Sequence, residues 1–242
     1  MDRMIYLTMS GAKAMMDRQD VLANNLANVS TVGFRAELQA FRSVPLQGSG
    51  ASTRVFSLET TPGYDATSGP VHATGNPLDV AMAGNAWLAV QGLDGTEAYT
   101  RNGQMTLRAD GTLANHFGQT VLGEGGPIQV PPNAEVNIAA DGTVVATTPG
   151  TPPQTIGRLK MVTPDAPLVR GSDGLFRGAG GQPLDADAEA RLHPGALEGS
   201  NVSPVGAMVS LIATSRQYES QMKLLQTAEG DEKSAAQLLS LS

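Results

Sequence analysis

Three histidines, His72, His116 and His193, are the side chains of this 242-residue sequence best suited to hold a metal or pass a proton near neutral pH. No two of them share a ligand spacing. Each sits among turn-forming residues and reads as a loop histidine on a solvated surface. Asp185-Ala186-Asp187-Ala188-Glu189 imitates the opening of a calcium-binding loop. The central glycine and the closing glutamate of such a loop are missing, so this too reads as a solvated turn. No G-x-S-x-G elbow, P-loop or G-x-G-x-x-G stretch is present. The 23 acidic residues offer no spacing that singles out a carboxylate pair for acid–base work. The absence of cysteine excludes thiol catalysis, thiolate metal sites and disulfides. The expectation is a chain that is not an enzyme, with no metal, cofactor or small-molecule substrate.

The chemistry that does stand out is that of contact. Ala23-Asn24-Asn25-Leu26-Ala27-Asn28-Val29-Ser30-Thr31-Val32-Gly33-Phe34 places three asparagines beside an apolar helical stripe. Asparagine is a poor helix former because its side chain competes for backbone hydrogen bonds. Keeping three of them there specifies a contact at the expense of helix stability. Asn24 and Asn28 fall on one face, where paired hydrogen bonds would fix register against a partner. The sequons at Asn28 and Asn201 lie at expected helix ends, where capping is the simpler use.

Two terminal helices must position these residues. At the front, Ile5, Met9, Ala12, Met16, Leu22, Leu26 and Val29 recur at helical spacing, broken around Gln19. Gly33 suits a C-terminal cap, with Phe34 folding back on the last turn. At the back, Ser203-Pro204 is an N-cap followed by a first-turn proline. The pattern Met208, Leu211/Ile212, Ser215, Tyr218, Met222, Leu225 follows, then Ala235, Leu238 and Leu239 beyond a weak point at Gly230. Between them, Asp94-Gly95, Asp110-Gly111, Asp141-Gly142 and Asp173-Gly174 flank strand-like runs and mark hairpins. The predicted fold is therefore mainly β, a central antiparallel domain of short strands and hairpins carrying terminal α-helices. The expected divisions are residues 1–36 (helical assembly segment), 37–65 (extended linker), 66–197 (β domain) and 198–242 (second helical assembly segment).

Composition bounds the partners. The 28 glycines and 15 prolines favour turns over a helical bundle, and a net charge of −7 argues against nucleic acid. The start has no cationic region followed by an unbroken apolar run, so no cleavable signal peptide is expected. No stretch approaches the length of a transmembrane helix. On composition alone the chain reads as soluble and cytoplasmic, unless it leaves the cell by a route that reads something else. Marginal stripes separated from a core need each other or a neighbouring chain, and open head-to-tail contacts build filaments.

Three ordered motifs then carry a resemblance. The N-terminal run through Gly33-Phe34, the central Thr74-Gly75-Asn76-Pro77-Leu78-Asp79-Val80 with Tyr99-Thr100-Arg101-Asn102-Gly103, and the closing Leu197-Glu198-Gly199-Ser200-Asn201-Val202-Ser203-Pro204-Val205 with Arg216-Gln217-Tyr218-Glu219 resemble the flagellar axial proteins, the rod and hook family. Gly33-Phe34-Arg35-Ala36 with Phe41-Arg42-Ser43-Val44-Pro45 is most similar to the proximal-rod branch, the distal rod being the runner-up. Gly206 departs from the family, which often carries an acidic residue suited to a capping box there. The resemblance implies a structural, torque-transmitting subunit exported through the flagellar type III apparatus. It would polymerise in the periplasmic space, its terminal helices forming an inner coiled coil. Implied partners are copies of itself and other proximal and distal rod subunits. The implied assembly contacts are Met9, Met16, Leu22, Asn24, Asn25, Leu26, Asn28, Gly33, Phe34, Asn201, Ile212, Tyr218, Met222 and Leu225. A β-rich polysaccharide-binding module is the competing class; it would need an exposed aromatic platform, which Trp87 inside an apolar run and four tyrosines do not offer. A hydrolase would need a nucleophile or carboxylate motif that does not stand out.

Overall fold

The computed structural model of the chain describes residues 2–45 and 55–240, with side chains described at 8–38 and 63–230. Helix α1 spans Asp2–Ala27 and is followed by strands β1 (Glu37–Pro45) and β2 (Val55–Tyr64). Next come β3 (Val71–Ala73), β4 (Val80–Met82), β5 (Trp87–Gln91), β6 (Glu97–Thr100), β7 (Met105–Leu107), β8 (Leu113–Asn115) and β9 (Thr120–Gly123). The series continues through β10 (Gly126–Pro127), β11 (Glu135–Ile138), β12 (Thr143–Thr147), β13 (Gln154–Arg158) and β14 (Met161–Val162). It ends with β15 (Val169–Arg170), β16 (Phe176–Arg177), β17 (Leu192–Pro194) and β18 (Ala196–Glu198), before helix α2 (Pro204–Ser240). None of the described helices is long and apolar enough to cross a membrane.

The chain forms two compact units. The first gathers Met1–Val29, Glu37–Tyr64 and Val202–Ser242, and so holds both helices with β1 and β2. Ser203 starts α2 as its sequence requires: its hydroxyl accepts the Gly206 N–H at 3.3 Å and its carbonyl accepts the Ala207 N–H at 2.9 Å. The helix runs unbroken through Gly230, where fraying was expected, and at 37 residues is about 55 Å long. The side chains of Ile5, Phe41, Leu238 and Leu239 lie outside the described residues.

Residues 37–65 correct an expectation. Their composition suggests an extended linker, yet β1 and β2 pair antiparallel from Glu37 opposite Tyr64 to Pro45 opposite Val55. Pro45, opposite Val55, and Gly63, opposite Leu38, are accommodated by the pairing itself. The register shifts between Leu38 and Ala40, and Pro62, which has no N–H to give a ladder, falls opposite that irregularity.

The second unit, Ser30–Ala36 with Asp65–Asn201, is antiparallel β throughout its paired strands. Its largest sheet has the order β15-β16-β6-β5-β9-β8-β7, with β10 added on β9 and β14 on β5. Strands β11-β12-β13 form a separate sheet, and β17-β4 and β18-β3 are two-stranded. Central β5 buries Trp87, Leu88, Ala89 and Val90 in succession, while β12 alternates, turning Val144 and Ala146 inward. Val80, Met105, Leu113, Leu159, Met161 and Leu192 belong to the same core.

Every Asp-Gly pair closes a hairpin of one design. At Gly92–Thr96, Arg108–Thr112, Ala139–Thr143 and Gly171–Leu175, the first residue's N–H bonds to the fifth's carbonyl and the glycine N–H to the first's carbonyl. The glycines adopt φ of 79°, 81°, 86° and 77°, the left-handed position this loop demands. In each turn the aspartate takes the N–H two residues ahead, at 2.9–3.1 Å. Arg177 ties two of the tips together, reaching Asp94 at 3.2 Å and Asp173 at 2.8 Å.

Candidate assembly site

Helices α1 and α2 pack on each other within the first unit. On α1 their covered positions include Thr8, Met15 and Leu22 at spacings of seven, with Gly11 and Asn25 fourteen apart; on α2 they include Leu211, Tyr218, Leu225 and Ala207, Thr214, Gln221, Ala228 at spacings of seven. The Gly11 backbone meets the Gln221 side chain, since a Cβ placed there would lie 3.5 Å from its amide carbon. In an antiparallel pair that contact sets Asn25 level with Ala207, and both are buried. A parallel pair would leave Ala207 beyond the start of α1. The seam is thin in apolar area, because two threonines, an asparagine, a glutamine and a glycine sit in it.

The residues expected at an assembly surface divide accordingly. Leu22, Leu26, Tyr218, Met222 and Leu225 are half-buried in the first unit. Met9, Met16 and Ile212 are outside the seam and 55%, 51% and 53% exposed. Val205, Met208 and Val209, which the sequence reading did not include among the contact residues, extend the Ile212 row at spacings of three and four and are likewise exposed. One face of α2's first two turns is therefore apolar and uncovered.

The asparagines work inside the chain. Asn25, 7% exposed, accepts the Glu37 N–H at 2.8 Å and donates to the Glu37 carbonyl at 3.0 Å. Its amide is thus a strand partner for the first residue of β1. Asn24 donates to the Glu37 carboxylate at 3.0 Å, and Asn28 donates to the Asn24 carbonyl and side-chain oxygens at 2.9 and 2.8 Å. Register between chains is not needed to explain them.

Gly33 and Phe34 also require correction. Helix α1 ends at Ala27, so Gly33 does not cap it. Gly33 belongs to the second unit, with φ 69°, and donates its N–H to the Glu198 carbonyl at 2.7 Å. A Cβ there would collide with the Arg101 backbone. Phe34 is 6% exposed, its ring lying 4.5 Å from the Arg170 guanidinium. Asn201 likewise serves its own unit: it accepts the Ala36 N–H at 2.7 Å and donates to the Asp65 and Thr67 carbonyls at 3.0 and 2.9 Å.

Beside these residues lies a feature that the sequence reading missed. Glu198 sits between two arginines, Arg35 Nη1 at 2.9 Å on Oε1 and Arg101 Nε at 2.8 Å on Oε2, with all three side chains at most 2% exposed. Oε1 also takes the Gly69 N–H at 3.0 Å. The cluster carries one positive charge in excess. Carbonyls supply the balance: Arg101 donates to Met82 at 3.0 Å, to Gly84 at 2.9 Å and to Ala86, and Arg35 donates to Thr67. Burial pushes the Arg101 guanidinium below its ordinary range, Glu198 pulls it back, and Arg35 adds to the lowering. No group of three or more potential metal ligands occurs among the described residues.

Arg35 directly follows the first motif, Arg101 and Glu198 lie in the other two, and comparison with known proteins divides the chain in the same way. Residues 5–35 match "Flagella basal body rod protein", residues 81–146 match "Flagellar hook protein FlgE/F/G D1 domain", and residues 193–238 match "Flagellar basal body rod FlgEFG protein C-terminal". The chain is 47% identical to the flagellar basal-body rod protein FlgF of Salmonella typhimurium and 46% identical to that of Escherichia coli, over 100% of both chains in each case. The chain belongs to the FlgF family of flagellar basal-body rod proteins. FlgG of Buchnera aphidicola, a basal-body rod protein of another name, is 30% identical over 93% of this chain and 95% of its own. In this FlgF-family chain Arg35, Arg101 and Glu198 each fall in a different matched region. The signal that could have found them was a charged residue inside each recognised motif.

Proposed function

We propose that this chain is a structural, non-enzymatic subunit of the flagellar basal-body rod, in its proximal part, and that it polymerises through α1 and α2. The observation that carries the assembly reading is the uncovered row Val205, Met208, Val209 and Ile212, with Met9 and Met16 on the companion helix. Apolar rows of this kind are stabilised when a neighbour removes them from water, at roughly 25 cal/mol per Å². Neighbouring copies and other rod subunits would supply that cover, with the helix pairs meeting as an inner coiled coil that transmits torque. The subunit would reach the periplasmic space through the flagellar type III export apparatus, without cleavage of a signal peptide. Greater identity to FlgF than to FlgG favours the proximal over the distal rod or hook.

Ile212→Asp tests the reading. The side chain is outside the helix seam, so the purified variant should melt like the parent. In a strain lacking this gene the variant should fail to restore swimming, and electron microscopy should show basal bodies with the rod absent or cut short above the inner-membrane ring. A complete proximal rod without its distal part would move the subunit outward. Normal flagella would refute assembly through this face.

A further inference from the structure

Glu198 is the last charged residue of the second unit and Arg35 the first. The strands around Glu198 are also the last to appear in the sequence, and they pair with the earliest. Strand β17 pairs with β4 and β18 with β3. Gly195 donates to Asp79 at 2.8 Å, Gly199 to Pro70 at 2.8 Å, and Leu192 to Ala140 at 2.9 Å. Leu192 fills the core at 2% exposure. The closing segment is therefore both the seam and the counter-charge of the unit. Without it, Arg35 and Arg101 would be two guanidiniums buried side by side with no anion between them, and uncompensated buried charge is among the most costly defects a fold can carry.

We propose that Glu198 is a completion latch: the second unit does not close until the end of its own sequence arrives, because only Glu198 permits Arg35 and Arg101 to be buried together. In any chain that emerges N-terminus first, Arg35 precedes Glu198 by 163 positions (198 − 35), the β1–β2 hairpin of the first unit among them, and contacts between residues so far apart in sequence form slowly. The latch holds β3–β16 open through that interval. It would keep a partly emerged chain unfolded whichever conduit it passes through, so it does not depend on the rod reading.

The test is the refolding of the full chain followed by fluorescence of Trp87, the single tryptophan, which lies 6.0 Å from the Arg101 guanidinium. Glu198→Gln keeps the size and an oxygen acceptor for Gly69, removes the charge, and puts an NH2 in place of the Oε2 that accepts from Arg101. The expected result is refolding slowed by about tenfold or more, with unfolding changed by less than about twofold, the signature of contacts already made at the barrier. Refolding at the parent rate with all of the loss in faster unfolding would overturn the latch, since the unit would then close first and receive Glu198 afterwards. Unchanged rates in both directions would overturn it as well. If Glu198→Gln fails to fold, Arg35→Gln/Glu198→Gln decides: restored folding supports charge balance as the latch, and continued failure refutes it.

Discussion

Asn25→Ala removes two hydrogen bonds at once and leaves both peptide groups of Glu37 without those partners. Each neutral bond contributes about 0.5–1.5 kcal/mol net, and an unpaired buried polar group costs about 1–3 kcal/mol. Glu37 is half-buried, so water can recover part of the loss, and the expected destabilisation of the first unit is about 2–3 kcal/mol. Asn28→Ala is the control. Its amide donates to the Asn24 carbonyl and side-chain oxygens just past the end of α1, in an exposed setting, and its loss should cost about 1 kcal/mol, less than that of Asn25. Asn24→Ala gives up two exposed bonds, to the Glu37 carboxylate and from the Asn28 amide, and should fall near the control. Urea unfolding followed by helical circular dichroism measures all three, and hydrogen exchange at the Glu37 amide localises the effect. Equal losses across the three positions, or a stable Asn25→Ala protein that fails only in assembly, would refute the intrachain role.

Gly33→Ala must force a side chain into left-handed backbone against Arg101, and should cost about 3 kcal/mol or more in the Trp87 fluorescence melt of the second unit. Gly11→Ala has room, its nearest contact being Gln221 at 3.5 Å, and should stabilise α1 by about 0.5–1 kcal/mol in the helical melt. Hydrogen bonds from Thr96 to Asp94, Thr112 to Asp110 and Thr143 to Asp141, and from Arg177 to Asp173, hold these carboxyls below their ordinary range. A depressed folded value means that stability is fully present above the unfolded pKa of about 3.9 and is lost as pH falls through the folded values. Asp141→Asn should therefore lower stability at pH 7 and flatten the acid loss measured by urea unfolding below about pH 5, parent and variant converging at low pH.

The sequence made the hairpins legible because an Asp-Gly turn is local: the glycine conformation and the aspartate-to-threonine bond are decided within five residues. The start of α2 was legible for the same reason, Ser203 and Pro204 acting on their own first turn. The pairing of β1 with β2 was not, because a backbone ladder leaves no mark on composition and Pro62 and Gly63 obscure it. The buried cluster was hidden for a different reason. Isolated arginines and a glutamate read as solvated charge, and only a fold that joins residues 35, 101 and 198 turns them into one network. The motifs were recognised as strings, without the physical reason for the charge in each.

The asparagines show how a correct physical cue can point to the wrong partner. An amide side chain offers one acceptor and a donor group, the same pair a peptide offers, so a buried asparagine can stand in for a neighbouring strand. Asn25 does this for Glu37 within the first unit, and Asn201 does it for Ala36, Asp65 and Thr67 within the second. Ala36 and Glu37 are consecutive, and the chain passes from the second unit to the first between them. Two adjacent N–H groups are thus handed to asparagines from opposite ends of the sequence. Poor helix propensity at Asn25 is the cost of that grip, and it is a contact specified at the expense of helix stability, as the pattern implied. Each grip lies within a single unit of one chain, so these two asparagines from the family's end motifs serve the subunit's own fold.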